Sequence, residues 1–410
     1  MRAAITLEQC WHRVPGGTAA AALGCVRALQ RLPVPPEMVG ISAWHRDPPQ
    51  APFAPEVPMA TVGLPRTALY WGWHHRRRPS VERVAGAVDV IHATGMAVPP
   101  RTAPLVVTVN DLAFRHYPDH FTSRGLRFFE QSLELTRSEA DIVICPSQHT
   151  ADDCVRAGIG AERVRVVPYG VDDLLVPASE AEEVRRRFGL SERFVLWIGT
   201  LEPRKNLPGL LEAWRMLDRN GEELVLAGPQ GWRPNLTGAV DSAGPVSSGS
   251  LRRRRPNRTG AVDSAGPVSS GSLRRRRPNR TGAVDSAGPS VRWLGFVAET
   301  DKRALLRAAT AVCYPSLTEG FGLPVLEAMA QATPVVTSAT GATAEVAGSS
   351  GLLVDPTRPG EIAGALAGLL DNTGEAARLG RQGRERALAV FTWSRTAGEL
   401  YGAYRELAGR

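Results

Sequence analysis

The sequence predicts an α/β protein built from two doubly wound domains that face each other across a cleft. Three observations carry the prediction. The 410 residues suffice for two ordinary domains, each with its own core. Short β-branched runs alternate with helical stretches along most of the chain, the pattern of strand–helix–strand units. The alternation also runs twice, pausing near 171–190 and then starting afresh.

In the first half, AAITL at 3–7 reads as the opening strand. Pro15-Gly16-Gly17 makes a turn, and a helix is expected from Thr18, a good N-cap, toward Leu32. Further strands are DVIHA (89–93), PLVVTV (104–109), DIVICPS (141–147) and VRVVPYG (164–170), short apolar runs of the kind that parallel sheets bury on both faces. A helix is expected over 123–140. The second half restarts with FVLWIGT (194–200), then a helix over 207–217. Its strands continue with ELVLAG (223–228), VRWLGFV (291–297), AVCYPS (311–316) and PVVTS (334–338). The expected boundaries are 1–175, 176–388 and a closing helical segment at 389–410 that packs back toward the first domain.

Composition narrows the setting. An apolar fraction of 43% and a charged fraction of 22% are those of a soluble globular chain. Cys10, Cys25, Cys145, Cys154 and Cys313 are odd in number and show no CxxC spacing, so neither a zinc site nor a disulfide framework is expected, and a reducing cytosol fits. The N-terminus reads as strand and loop rather than as a signal peptide. No apolar run reaches the roughly 18 residues of a membrane span, so any membrane contact is expected to be peripheral, at the inner face. His12, His92 and His116 have no partner at metal-ligand spacing and read as structural or substrate-proximal.

A near-verbatim repeat interrupts the second half. NLTGAVDSAGPVSSGSLRRRRP at 235–256 recurs at 257–278, with a partial copy at 279–289. Dominated by Gly, Ser, Pro and Arg, the copies have little apolar face with which to offset their ordering entropy, and they read as a tandem duplication in a surface loop. Nine arginines against two aspartates in 235–278 account for seven of the eight excess positive charges, so the basic character belongs to the insertion and not to the fold. No specific nucleic-acid partner is expected. Asn235, Asn257 and Asn279 form Asn-x-Thr sequons that carry no weight without a secretion signal.

The chemistry concentrates in YPSLTEGFGLPVLEAMA, 314–330. Gly320 and Gly322 let backbone approach a ligand, and Pro324 suits the first helical position. The amides of Phe321, Gly322 and Leu323 at the positive end of that helix can hold a phosphate. Glu319 and Glu327 stand on either side, within reach of ribose or sugar hydroxyls. A phosphate flanked by hydroxyls is what a nucleotide sugar presents. Glu-x7-Glu alone reads more readily as a glycine turn with two exposed glutamates; the specificity lies in the whole string.

That string resembles the retaining glycosyltransferases of family 4, which have the GT-B fold and include many bacterial mannosyltransferases. The segments IGTLEPRKNLPGLLEAW (198–214), TPVVTSATGATAEVAGSSGLLVDP (333–356), VPGGTAAAALGCVRAL (14–29), DVIHATG (89–95), VVTVNDLAF (106–114) and FTWSRTA (391–397) fit it as well. The resemblance implies that Lys205 and Arg204 bind the donor diphosphate, that Glu319 contacts the transferred sugar, and that Glu327 holds the ribose. It implies that Gly16 and Gly17 close over the donor from the other domain, and it makes Asn110 and Asp111 substrate-binding. Gly228 and Gly295-Phe296-Val297 are placed at the nucleobase pocket, with core packing of the aromatic an equal account. Two departures stand out. Asn110-Asp111 replaces the usual His-Asp, which keeps hydrogen bonding and loses titration. Thr200 stands where many relatives have an arginine, which leaves more of the diphosphate charge to Arg204 and Lys205.

The expected activity is transfer of a hexose to a glycan or lipid-linked acceptor, as in polysaccharide biosynthesis, with GDP-mannose the preferred donor by resemblance alone. Asp-x-Asp does not occur, so a metal held in that way is not expected and no cofactor is called for. Retention of configuration is implied by resemblance only, and front-face attack and a covalent intermediate both stay open. Two other classes remain: a sugar-nucleotide epimerase on the same scaffold, and a non-catalytic adaptor whose arginine repeat binds nucleic acid or membrane. TALYWGWHHRRRP at 67–79 offers aromatic and basic groups to anionic headgroups, or forms an ordinary amphipathic surface helix.

Overall fold

A computed structural model describes residues 1–219, 221–229 and 290–409. The arginine-rich repeat and its sequons lie outside the described residues.

Two parallel sheets form, as the strand–helix alternation predicts. The first comprises β1 (Arg2–Thr6), β2 (Glu37–Ser42), β3 (Met59–Thr61), β4 (Val90–Ala93), β5 (Leu105–Thr108), β6 (Ile142–Cys145) and β7 (Val164–Val166), in the order β3-β2-β1-β4-β5-β6-β7. The second comprises β8 (Arg193–Ile198), β9 (Glu222–Ala227), β10 (Ser290–Gly295), β11 (Ala311–Tyr314), β12 (Val335–Ser338) and β13 (Leu352–Val354), in the order β10-β9-β8-β11-β12-β13. Every residue of β4, β5, β6, β11 and β12 is buried, because helices cover both faces and a two-sided strand has no polar side to show.

Strand order reverses between β1 and β4 in one sheet and between β8 and β11 in the other. At such a switch point the loops leaving adjacent strands diverge to opposite faces, and the gap at their carboxyl ends receives a ligand.

β2, β3 and β13 have no counterpart in the strands expected from sequence. β3 and β13 are three-residue edge strands, only partly buried, and a single neighbour holds each. β2 carries Gly40 against Met59, which breaks up its apolar run. The first helix spans Gly16–Gln30 rather than starting after Thr18. Gly16 adopts φ 60°, and the Thr18 hydroxyl donates to the Pro15 carbonyl from inside the first turn instead of capping it.

The final helix, Trp393–Ala408, lies on the helix Gly16–Gln30 of the first domain. A Cβ on Gly24 would fall inside the Trp393 ring, so glycine is what lets the two helices touch. Tyr404 is fully buried, with its hydroxyl 2.5 Å from His92 Nδ1. All five cysteines are buried and unbridged.

Candidate active site

Two loops build the centre of the site. One leaves β8 and passes through the short turn Pro203–Lys205; the other leaves β11 and enters the helix Leu323–Ala330. β8 and β11 are hydrogen-bonded neighbours, with Val195 opposite Ala311 and Leu196 opposite Val312. The loops are also stitched directly, the Leu317 amide donating to the Arg204 carbonyl at 2.8 Å.

Glu319 is the hub. Its carboxylate is buried, and Oε1 accepts from Lys205 Nζ at 2.5 Å, Ser316 Oγ at 2.9 Å and the Tyr314 hydroxyl at 3.1 Å. Oε2 lies 2.9 Å from Arg204 Nη1. Arg204 Nε donates to Glu202 at 2.9 Å, and Lys205 also donates to the Tyr314 hydroxyl. Burial alone would push the Glu319 carboxyl up; Arg204 and Lys205 outweigh it and hold the group down at about 2. Burial and the adjacent Arg204 act on Lys205 in the other direction, pulling its ammonium below the usual range against the attraction of Glu319 and Glu202. Two cations thus face two carboxylates, and each cation has a carboxylate partner.

The helix start beside this cluster is open to an anion. Gly322 caps the helix at φ 107°, a conformation that favours glycine. Leu323 rather than Pro324 is the first helical residue, one position earlier than the sequence suggests. The amides of Phe321, Gly322 and Leu323 donate to no backbone carbonyl among the described residues. The Phe321 ring is buried edge-on to Tyr169 and Phe391, which fixes the loop from behind. Glu327 lies on the same helix and is held by Lys302, Oε1 to Nζ at 2.6 Å, while Lys302 also reaches Glu299 at 2.9 Å.

The first domain closes against these loops. A Cβ on Gly17 would sit 3.6 Å from Leu323, so the glycine turn lies beside the start of the facing helix. The Gly320 carbonyl accepts from Ser147 Oγ at 2.7 Å and Thr150 Oγ1 at 3.1 Å. Gly320 is also pressed on the Asn110 carbonyl, which would stand 1.7 Å from an added Cβ. Asn110 Oδ1 accepts from the Tyr169 hydroxyl at 2.5 Å, and Asp111 Oδ1 accepts from the Ala113 amide at 3.0 Å. Asn110 and Asp111 are therefore oriented within their own domain, at its border with the second.

Gly228 and Gly295 close the ends of β9 and β10, the Gly228 amide donating to the Gly295 carbonyl at 2.7 Å. Phe296 is 66% exposed, which removes core packing as its role; Val297 is partly buried against the core.

Sequence reasoning missed Glu202, Tyr314, Ser316 and Lys302 on the second domain, and Ser147, Thr150 and Tyr169 on the first. Tyr314 and Ser316 open the quoted motif, where the burial of a polar residue at a strand end was the available signal. Ser147 and Thr150 touch the site only through domain closure, which leaves no trace in local pattern. His116, read from sequence as structural or substrate-proximal, has a partner in space: its Nε2 lies 2.7 Å from Asp153 Oδ2, with His149 close by. Linear spacing hid the cluster because His116 and Asp153 belong to different elements. Among the described residues no helix is long and apolar enough to cross a membrane.

Comparison with known proteins bears on both halves. Residues 15–173 match the family described as Glycosyltransferase Family 4, and residues 285–386 match Glycosyl transferases group 1. The chain is 28% identical over 326 residues to the O-antigen chain mannosyltransferase B of Escherichia coli, covering 78% of this chain and 74% of that one. It is 33% identical over 352 residues to the D-inositol 3-phosphate glycosyltransferase of Salinispora arenicola, covering 80% and 71%. Among solved structures, HepE of Anabaena in complex with UDP and glucose superposes with a TM-score of 0.71 at 20% identity, over 99% of this chain and 100% of that one. WaaG, a glycosyltransferase involved in lipopolysaccharide biosynthesis, gives 0.68 at 15% identity over the full length of both. The fold is GT-B.

Proposed function

The chain belongs to the family 4, group 1 glycosyltransferases, and from that premise we propose that it moves a hexose from a nucleoside-diphosphate sugar to a glycan or lipid-linked acceptor with retention of configuration. The observation that carries this reading is the convergence of Arg204 and Lys205 with Glu319 beside the open amides of 321–323.

In this reading the donor diphosphate takes over Arg204 and Lys205 from Glu319 and extends to the amides of Phe321, Gly322 and Leu323. As the sugar–phosphate bond breaks, negative charge grows on the leaving phosphate. Fixed cations and amide dipoles in a water-poor cleft stabilise that charge without reorganising. Glu319, released from the cations but still beside Ser316 and Tyr314, turns to hydroxyls of the transferred sugar. Glu327 holds the ribose, Phe296 and Val297 border the base near Gly228, and Gly16, Gly17, Asn110 and Asp111 complete the sugar side. The leaving-group charge is met by protein groups alone, so transfer needs no metal at the donor. Mannose from GDP-mannose is the preferred donor, a choice supported by relatives named as mannosyltransferases. The known structure of HepE with UDP-glucose makes a uridine donor the natural competitor in any screen.

The test is a donor screen by melting temperature, since a ligand that binds only the native state stabilises it by mass action. The expected result is a shift with one nucleoside-diphosphate hexose and none with the free hexose. Incubation with acceptor should then give an α-linked product from an α-linked donor, at a rate that does not respond to added magnesium or manganese. Conversion of the donor without acceptor would favour the epimerase instead.

A further inference from the structure

Away from the donor site, three metal-ligating side chains converge. His116 ends the short helix Ala113–His116; His149 and Asp153 lie one turn apart on the helix Gln148–Arg156. Their ligand atoms all lie within 4.8 Å of one another. His116 Nε2 is 2.7 Å from Asp153 Oδ2, and His149 Nε2 is 3.8 Å from the same oxygen. The two imidazoles face each other, ring centres 6.2 Å apart and planes 23° from parallel. Asp153 is 6% exposed, and Arg156 takes its other oxygen, Oδ1, which turns Oδ2 toward the histidines.

We propose that His116, His149 and Asp153 bind a divalent transition-metal ion of the zinc class, with water completing the coordination. Two imidazole nitrogens and one carboxylate oxygen form a donor set that suits zinc, and three protein ligands plus water is a common arrangement for it. Spacing of i and i+4 on a helix puts His149 and Asp153 on one face. A hydrogen bond between His116 and Asp153 accounts for that pair alone. His149 Nε2 stands 3.8 Å from the same oxygen, within ion-pair distance though beyond hydrogen-bonding range, so both imidazoles approach one carboxylate oxygen. Tetrahedral zinc with bonds of about 2.0–2.1 Å places its donors roughly 3.3 Å apart. The short His116–Asp153 contact would open and the wider separations close, movements within the rotamer freedom of two partly exposed imidazoles.

The position gives the ion a task. The His149 amide donates to Glu345 of the second domain at 2.6 Å, and a Cβ on Gly341 would lie 3.6 Å from His149 Nε2. Tyr117, next to His116, reaches the Leu317 carbonyl of the second domain at 3.4 Å. An ion held here ties the segment carrying Asn110, Asp111 and Tyr117 to the helix that meets Glu345, bracing the first domain along the seam. It takes no part in the transfer chemistry.

The experiment titrates cobalt(II), and then zinc in competition, into the full chain stripped of metal. The expected result is one equivalent of cobalt with the visible absorption of a four- or five-coordinate site, displaced by zinc. His149→Gln and Asp153→Asn should each weaken cobalt binding at least ~10-fold, the lower end of what even an outer-shell change costs a metal site. Zinc should raise the melting temperature of the parent chain and not of His149→Gln. Absence of the visible bands, or equal affinity in parent and variants, overturns the site. A thiolate charge-transfer band also overturns it, since it would move the ion to Cys145 and Cys154, whose sulfurs lie 3.6 Å apart. Metal-free melting curves check folding, and if Asp153→Asn fails to fold, the partly exposed His149→Gln decides the matter.

Discussion

Lys205 Nζ stands 2.5 Å from Glu319 Oε1, although 114 residues separate them in the chain. Sheet order explains the meeting: β8 and β11 are neighbours, and the two residues lie on the loops leaving their carboxyl ends. The pair is buried, and removing either member leaves the other's charge poorly compensated in a low-dielectric site. Lys205 holds a carboxylate where the donor diphosphate is proposed to sit, so the pair's chemistry can be read by mutation and by pH.

Lys205→Ala removes one preorganised cation from the leaving-group site. Transfer should fall ~100- to 1000-fold, the usual cost of losing one such group. Donor-dependent product formation measures it. Wild-type rates from this variant would refute the mechanism.

Acid should weaken the fold through Glu319. Its folded value of about 2 lies below the ordinary 4.5, so the folded state binds this proton less readily than the unfolded chain. The stabilisation is fully present above about pH 5 and drains away as pH falls toward 2, an effect on the order of a few kcal/mol. Denaturant unfolding across that window should show the parent chain converging on Glu319→Gln as pH drops. Parallel curves for the two proteins would contradict the buried ion pair.

Gly320→Ala places a Cβ within 1.7 Å of the Asn110 carbonyl, across the domain border. The domains must part at that point, and with them the Ser147 and Thr150 contacts to Gly320. Transfer efficiency should drop at least ~10-fold, since small misplacements at a reacting site cost about a hundredfold. Small-angle scattering should show a larger radius of gyration, with helix content unchanged.

Deletion of 235–278 removes nine arginines and two aspartates and lowers the net charge from +8 to +1. Transfer should stay within about twofold, while salt-sensitive retention on a polyanion is lost, because a run of like charges acts on a polyanion through long-range fields. Loss of transfer on deletion, with Lys205→Ala silent, would instead support the adaptor reading.

Much of the candidate site was legible because it is local. Glycines at the turn, the carboxylate at 319 and the helix that follows lie within a dozen residues, and Arg204 and Lys205 occupy one short turn. Edge strands β3 and β13 escaped notice because three partly buried residues leave no periodic signal. Lys302 escaped because its partner Glu327 lies on another helix. His116 lacks a partner at close sequence spacing for the same reason: its neighbours His149 and Asp153 lie beyond β6, in a separate element.

Two doubly wound sheets and a glycine-turned helix start after Glu319 can be read from local pattern, since burial periodicity and backbone chemistry act between near neighbours in the chain. The pairing of Glu319 with Lys205 and Arg204, the seating of Gly320 on Asn110, and the approach of two histidines to one carboxylate came only with the fold. Those outcomes depend on which strands lie side by side and on how the domains close, and contacts set by sheet order have no fixed distance along the chain.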